Sequence, residues 1–121
     1  MIDYDGITFR AVSNTAGGDV DGDTRFHYRQ SGDVVWGTYS GGAVRFGTLV
    51  ARVDAEGRLD MRYQHVDTAG RFRAGRCAST PERLADGRLR LHERWTWTEG
   101  GEGSGESMVE QMGAGPDTDG A

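Results

Sequence analysis

Two stretches of the chain alternate strictly between apolar and polar positions. Leu59, Met61, Tyr63 and His65 share one parity, while Arg58, Asp60, Arg62 and Gln64 share the other. Further along, Leu89, Leu91, Glu93, Trp95 and Trp97 oppose Arg88, Arg90, His92, Arg94 and Thr96. Successive side chains of a strand point to opposite faces, so each stretch reads as a strand with one wet and one buried face. Turn signals rich in glycine and aspartate separate such segments: Asp21-Gly22-Asp23, Ser31-Gly32-Asp33, Ser40-Gly41-Gly42, Ala55-Glu56-Gly57, Thr68-Ala69-Gly70, Ala85-Asp86-Gly87 and the run from Gly100 to Gly105. These residues supply the backbone conformations that tight hairpins require. The pattern predicts eight strands, over 3–13, 24–30, 33–40, 43–54, 58–66, 71–79, 88–98 and 104–112. A short helical turn is expected at Thr80-Pro81-Glu82-Arg83, where Thr caps and Pro suits the first helical position. No segment carries the three-four spacing of a long amphipathic helix.

A meander of consecutive hairpins leaves two raw edges unless it closes on itself. The fold class expected is therefore all-β, an eight-stranded antiparallel up-and-down barrel of lipocalin or avidin type, with a β-sandwich as the alternative. A calycin-like barrel of that size is filled by side chains or holds one small ligand. Residues 1–112 are expected to form a single domain. The stretch 113–121 lacks large apolar side chains and is expected to be a disordered acidic tail.

Composition narrows the chemistry. All 14 basic residues are arginine, which excludes Schiff-base and P-loop lysine chemistry. The net charge of −5 is uneven, with acidic ends around a basic middle over 71–98. That distribution places the ends near the arginines and argues against nucleic-acid binding. No apolar run reaches the roughly 18 residues of a membrane span. The start lacks the basic and apolar regions of a secretory signal, and a lone Cys77 fits a reducing cytoplasm. Neither a cofactor nor a metal site is expected, since no pair of histidines has ligand spacing. A homodimer is left open.

Several segments together resemble a known family: Phe26-His27-Tyr28, Trp36 to Gly42, Leu59 to Val66, Gly75 to Glu82, and Asp86 to Trp97. The family is one of small bacterial proteins often labelled N-acetylglutamate synthase, and the likeness covers most of residues 2–111. It implies a synthase using acetyl-CoA. The nearest approach to an acetyl-CoA loop, Arg29-Gln30-Ser31-Gly32-Asp33-Val34, ends in valine and lies between two predicted strands. No helix N-terminus follows it to receive a pyrophosphate.

The residues favour a small-molecule site in the lumen. Glu93 shares the inward parity of Leu91 and Trp95, and a buried carboxylate is costly unless neutralised or paired. Arg76 on the preceding strand is expected either to pair with Glu93 or to join Glu93 and His65 in supplying polarity to a ligand. His65 lies in phase with Met61 and Tyr63 near a barrel mouth. Trp36, Tyr39, Tyr63, Trp95 and Trp97 would provide flat walls with polar tips. Parity sets Trp36 and Tyr39 on opposite faces, so both cannot point inward. The leading expectation is a binding barrel for a partly apolar ligand. The alternative is an enzyme of isomerase or cyclase type with Glu93 and His65 as acid and base. A module with a filled lumen is the third. His27 and His92 are expected to face water, Cys77 to be an inert core residue, and Asp19-Val20-Asp21-Gly22-Asp23 to be a solvated turn. Arg88, Arg90 and Arg94 form an outer row.

Overall fold

The computed structural model describes residues 2–113, so the expected tail, apart from Gly113, lies outside the described residues. In chain order the strands are β1 (Thr8–Asn14), β2 (Arg25–Ser31), β3 (Val34–Gly41), β4 (Val44–Val53), β5 (Leu59–Asp67), β6 (Phe72–Arg83), β7 (Leu89–Glu99) and β8 (Ser104–Gln111). Each pairs antiparallel with the next, and β8 returns to β1 to close the barrel. The all-β barrel reading holds, and the sandwich does not. No helix among the described residues is long and apolar enough to cross a membrane.

Two boundaries differ from expectation for physical reasons. The helical turn at Thr80–Arg83 does not form, because these residues continue β6 and pair with His92 to Leu89 of β7. Pairing with β5 stops at Ser79, so past that point β6 has one unpaired edge, where a proline without an N–H is tolerated. The segment before Thr8 is not strand. Instead Tyr4 folds inward and is wholly buried, its hydroxyl donating to the Gly57 carbonyl at 2.5 Å.

The hairpin turns joining β2–β3, β4–β5 and β6–β7 lie at one end of the barrel, and that end is solid. Tyr4, Phe9 and Tyr28 pack there with ring centroids 4.9 to 6.4 Å apart. Val35, Leu89, Leu91 and Val109 are buried with them. The opposite end, with the β1–β2, β3–β4, β5–β6 and β7–β8 connections, carries the polar lumen.

Large inward rings find room over glycines on neighbouring strands. Tyr39 pairs with Gly47, Tyr63 with Gly75, and Trp95 with Gly105. A Cβ on any of the three would collide with the ring beside it. A β-bulge between Val44 and Phe46 turns Gly47 inward and Phe46 out to solvent.

On the outer surface, Glu110 of β8 receives Arg90 at 2.6 Å and Arg88 at 3.3 Å, and Asp5 receives Arg29 at 2.8 Å. The acidic ends thus lie against arginines, as their charge distribution predicts. Pairs on the outer surface are screened by solvent, so they trim the register and do not hold the fold together.

Gly47→Ala is expected to destabilise the protein by about 1–3 kcal/mol, because the new methyl displaces the Tyr39 ring from its place over Gly47. Urea unfolding of the two proteins checks this.

Candidate functional site

Inward parity brings side chains of four strands to the open end. Tyr39 ends β3, Tyr63 and His65 end β5, Arg73 begins β6, and Glu93, Trp95 and Trp97 follow one another along β7. The β1–β2 loop crosses above them. All of these but Arg73 line a cavity of about 50 Å³, with Phe26, Leu49, Met61 and Cys77.

Glu93 lies halfway along β7, between Leu91 and Trp95, and is only 8% exposed. The hydroxyls of Ser107 and Ser79 donate to its two oxygens at 3.0 and 3.2 Å. Among the described residues no cation pairs with it. Burial therefore dominates and raises its pKa from 4.5 to about 7, with the two serine hydrogen bonds opposing the rise. Cys77, 3.7 Å from Ser79, is pushed well up by burial first and by Glu93 next, so the thiol stays protonated. Tyr39 and Tyr63 are raised chiefly by burial and remain phenols.

The mouth is built on an aspartate. Asp19 reaches down from the β1–β2 loop, and both its oxygens are engaged. Oδ1 accepts from Arg73 Nη1 and Oδ2 lies against His65 Nε2, each at 2.8 Å. A carboxylate only accepts, so Nε2 carries the proton, and in the neutral ring Nδ1 accepts from the Tyr39 hydroxyl at 2.8 Å. The Arg73 guanidinium sits 4.0 Å from the centre of the Trp97 ring. The indoles help to hold the loop: Trp97 Nε1 donates to the Gly17 carbonyl at 3.2 Å, and Trp95 Nε1 to Asn14 Oδ1 at 2.8 Å.

Three expectations need correction. Trp36 is 41% exposed and lies on the outside of β3, because Tyr39 takes the inward parity that Trp36 cannot share. Arg76 is also outside and does not meet Glu93, since Cys77 next to it occupies the inner face. The run Asp19–Asp23 is not a uniformly solvated turn, since Asp19 turns back over the mouth while Asp21 and Asp23 are exposed. Gly17, at φ 98°, permits that reversal.

Sequence reasoning passed over Arg73 and Asp19. Arg73 shares parity with Cys77 and Ser79, which was the signal for it. Asp19 carried none, because no periodicity governs a loop. His27 and His92 face water. Among the described residues no three of His, Cys, Asp and Glu converge as a metal would require.

A family model described as avidin-like protein matches residues 2–112. The chain belongs to the avidin-like protein family. No curated protein and no solved structure matches it. The calycin-type architecture of this avidin-like barrel is thus supported by both its strand order and its family, whereas the synthase label is not.

The buried Glu93 gives this avidin-like barrel a distinctive stability profile. Between pH 4.5 and about 7 the folded state keeps the Glu93 proton while the unfolded chain has released it. This group's stabilisation is therefore complete below pH 4.5 and lost as the pH rises to about 7. The change corresponds to about 3 kcal/mol. Glu93→Gln cannot ionise, so urea unfolding across this window should show a flatter stability curve and a variant more stable than wild type at pH 8.

Proposed function

We propose that the barrel, over residues 1–112, binds a small, partly apolar molecule in its lumen, entering at the β1–β2 end. The observation that carries this reading is Glu93, a buried carboxyl without a cation, set in a cavity walled by Tyr63, Trp95 and Trp97. A lumen that needed only filling would be at least as stable with an apolar side chain there. A group held at such cost, lining an aromatic cavity, suits the polar part of a ligand.

Pockets for drug-sized molecules measure roughly 300–1,000 Å³. The cavity of about 50 Å³ accepts only part of such a molecule while the β1–β2 loop lies across the mouth. Binding therefore includes displacement of that loop. The buried Cys77 thiol fits a reducing compartment such as the cytoplasm.

A second reading, an enzyme of isomerase or cyclase type, is favoured by one observation: Glu93 is buried beside hydroxyls and no cation, a setting that raises its carboxyl toward neutrality, where it can both give and take a proton. The synthase activity implied by the sequence resemblance draws no such support, because Arg29–Val34 falls in the β2–β3 hairpin and is followed by strand.

Native mass spectrometry after incubation with a metabolite extract tests the lumen reading. Wild type should retain a small molecule, and Leu49→Trp or Met61→Trp, whichever keeps its near-UV circular dichroism, should retain none. Equal retention, or an empty wild type, overturns the reading. If the captured molecule is also converted, Glu93→Gln should bind it and leave it unchanged.

A further inference from the structure

The ligand's chemistry is written into the mouth of the lumen, an inference that rests on the binding reading above. We propose that Arg73 and His65 form a carboxylate receptor that Asp19 fills from within, and that the ligand is a small organic acid whose carboxylate takes Asp19's place.

Asp19 behaves as a ligand does. It comes from a loop and not from the barrel wall, and each of its oxygens meets one N–H at 2.8 Å. The donors, in contrast, are fixed. His65 is buried on β5, with its second ring nitrogen tied to Tyr39. Arg73 is clamped between the Trp97 ring and Gly101, where an added Cβ would strike its guanidinium. A rigid receptor and a tethered carboxylate are what an internal stand-in requires.

Arg73 also has a donor to spare. Its Nε is buried and has no hydrogen-bond partner among the described residues. Asp19 reaches only Nη1 of this guanidinium. The Nε–H lies on the Nη2 side of the guanidinium, so a carboxylate free of the loop can shift from Nη1 toward the Nε–Nη2 edge, and bidentate pairing with arginine is stronger than a single contact.

Charge sets the ligand class. Moving Asp19 away leaves the Arg73 cation, which is 14% exposed, against the Trp97 ring without an anion, at the edge of the cavity that Trp97 lines. An incoming carboxylate preserves the balance, a neutral molecule leaves the cation unpaired, and an amine adds to it. His65, Tyr39 and Trp97 line the cavity as well as the receptor, so the body of the acid is led toward Tyr63, Met61 and Trp95.

The loop can yield. Besides Asp19, it is held at its centre by two hydrogen bonds, Trp97 to Gly17 and Asn14 to the Val20 carbonyl at 3.1 Å, and by the Val20 side chain, which is only partly buried against the core. Because the stand-in is tethered, it competes at high effective concentration and weakens every acid that seeks the site.

Hexanoate and hexanamide, titrated against the full chain by calorimetry, test this. Asp19→Asn should bind hexanoate about tenfold more tightly than wild type, because its competitor is weakened, and hexanamide about equally. Adding Arg73→Gln should abolish the preference for the acid. If Asp19→Asn takes hexanamide as tightly as hexanoate, the carboxylate receptor is refuted and the lumen reading stands. If neither probe binds wild type or variant, both fail. Should Asp19→Asn lose cooperative unfolding, wild type decides by NMR. Hexanoate must then move the His65 ring nitrogens and the Gly18 amide while hexanamide leaves them in place, and unmoved signals refute the receptor.

Discussion

The seam between β1 and β8 is the constraint on which the site depends. An open sheet of eight strands would leave either face available to solvent, and the parity of a residue would decide little. Once the seam closes, every inward side chain shares one narrow lumen, and the volume there is fixed by the strand count and stagger. Rings as large as those of Tyr39, Tyr63 and Trp95 fit only because a glycine stands opposite each across the ladder. The glycines cost backbone entropy and add no packing of their own, so they are tolerable only where another residue's ring covers them.

Closure also divides the lumen into unlike halves. Toward the β2–β3 end, Tyr4, Phe9 and Tyr28 fill the space with rings, and the polar reaches there are satisfied, Tyr4 by the Gly57 carbonyl and Gln111 by the Leu89 N–H. Toward the β1–β2 end, the strands bring in Glu93, His65 and Arg73. The cost of burying these groups is borne by a barrel whose far end is packed without polar compromise. A site of this kind needs a solid half to stand on.

How much of this is legible in the chain depends on whether a residue belongs to a strand or a loop. The alternations of β5 and β7 announce Tyr63, His65, Glu93, Trp95 and Trp97 as inward residues, and all five side chains lie at the lumen. The same rule, applied from Cys77, selects Arg73 and rejects Arg76; proximity in sequence to the cysteine is misleading because adjacent residues of a strand face opposite ways. Phe46 shows where the rule breaks, since a bulge inserts one residue and reverses the parity after Val44. Thr80-Pro81-Glu82-Arg83 has good helix-start chemistry locally, yet pairing with β7 outweighs it. Asp19 is beyond such reasoning altogether. Its position depends on where a loop of Gly17 and Gly18 lands after the barrel has formed.

The two carboxyl groups of the lumen differ in what meets them, and the difference gives the site a direction. Asp19 is met by a guanidinium and an imidazole at the mouth. Glu93 is met only by hydroxyls, which can turn to donate or accept. One place therefore favours an anion, and the other favours a neutral hydrogen-bonding group or a shared proton. Between them lie the faces of Tyr63, Trp95 and Trp97, which reward flat or apolar matter. On the binding proposed above, a molecule matched to all three would be an acid at one end, apolar along its middle and uncharged but polar at the other. Reversing it would set its anion beside Glu93, where no cation waits, so the residues proposed to admit the ligand would also fix which way round it enters.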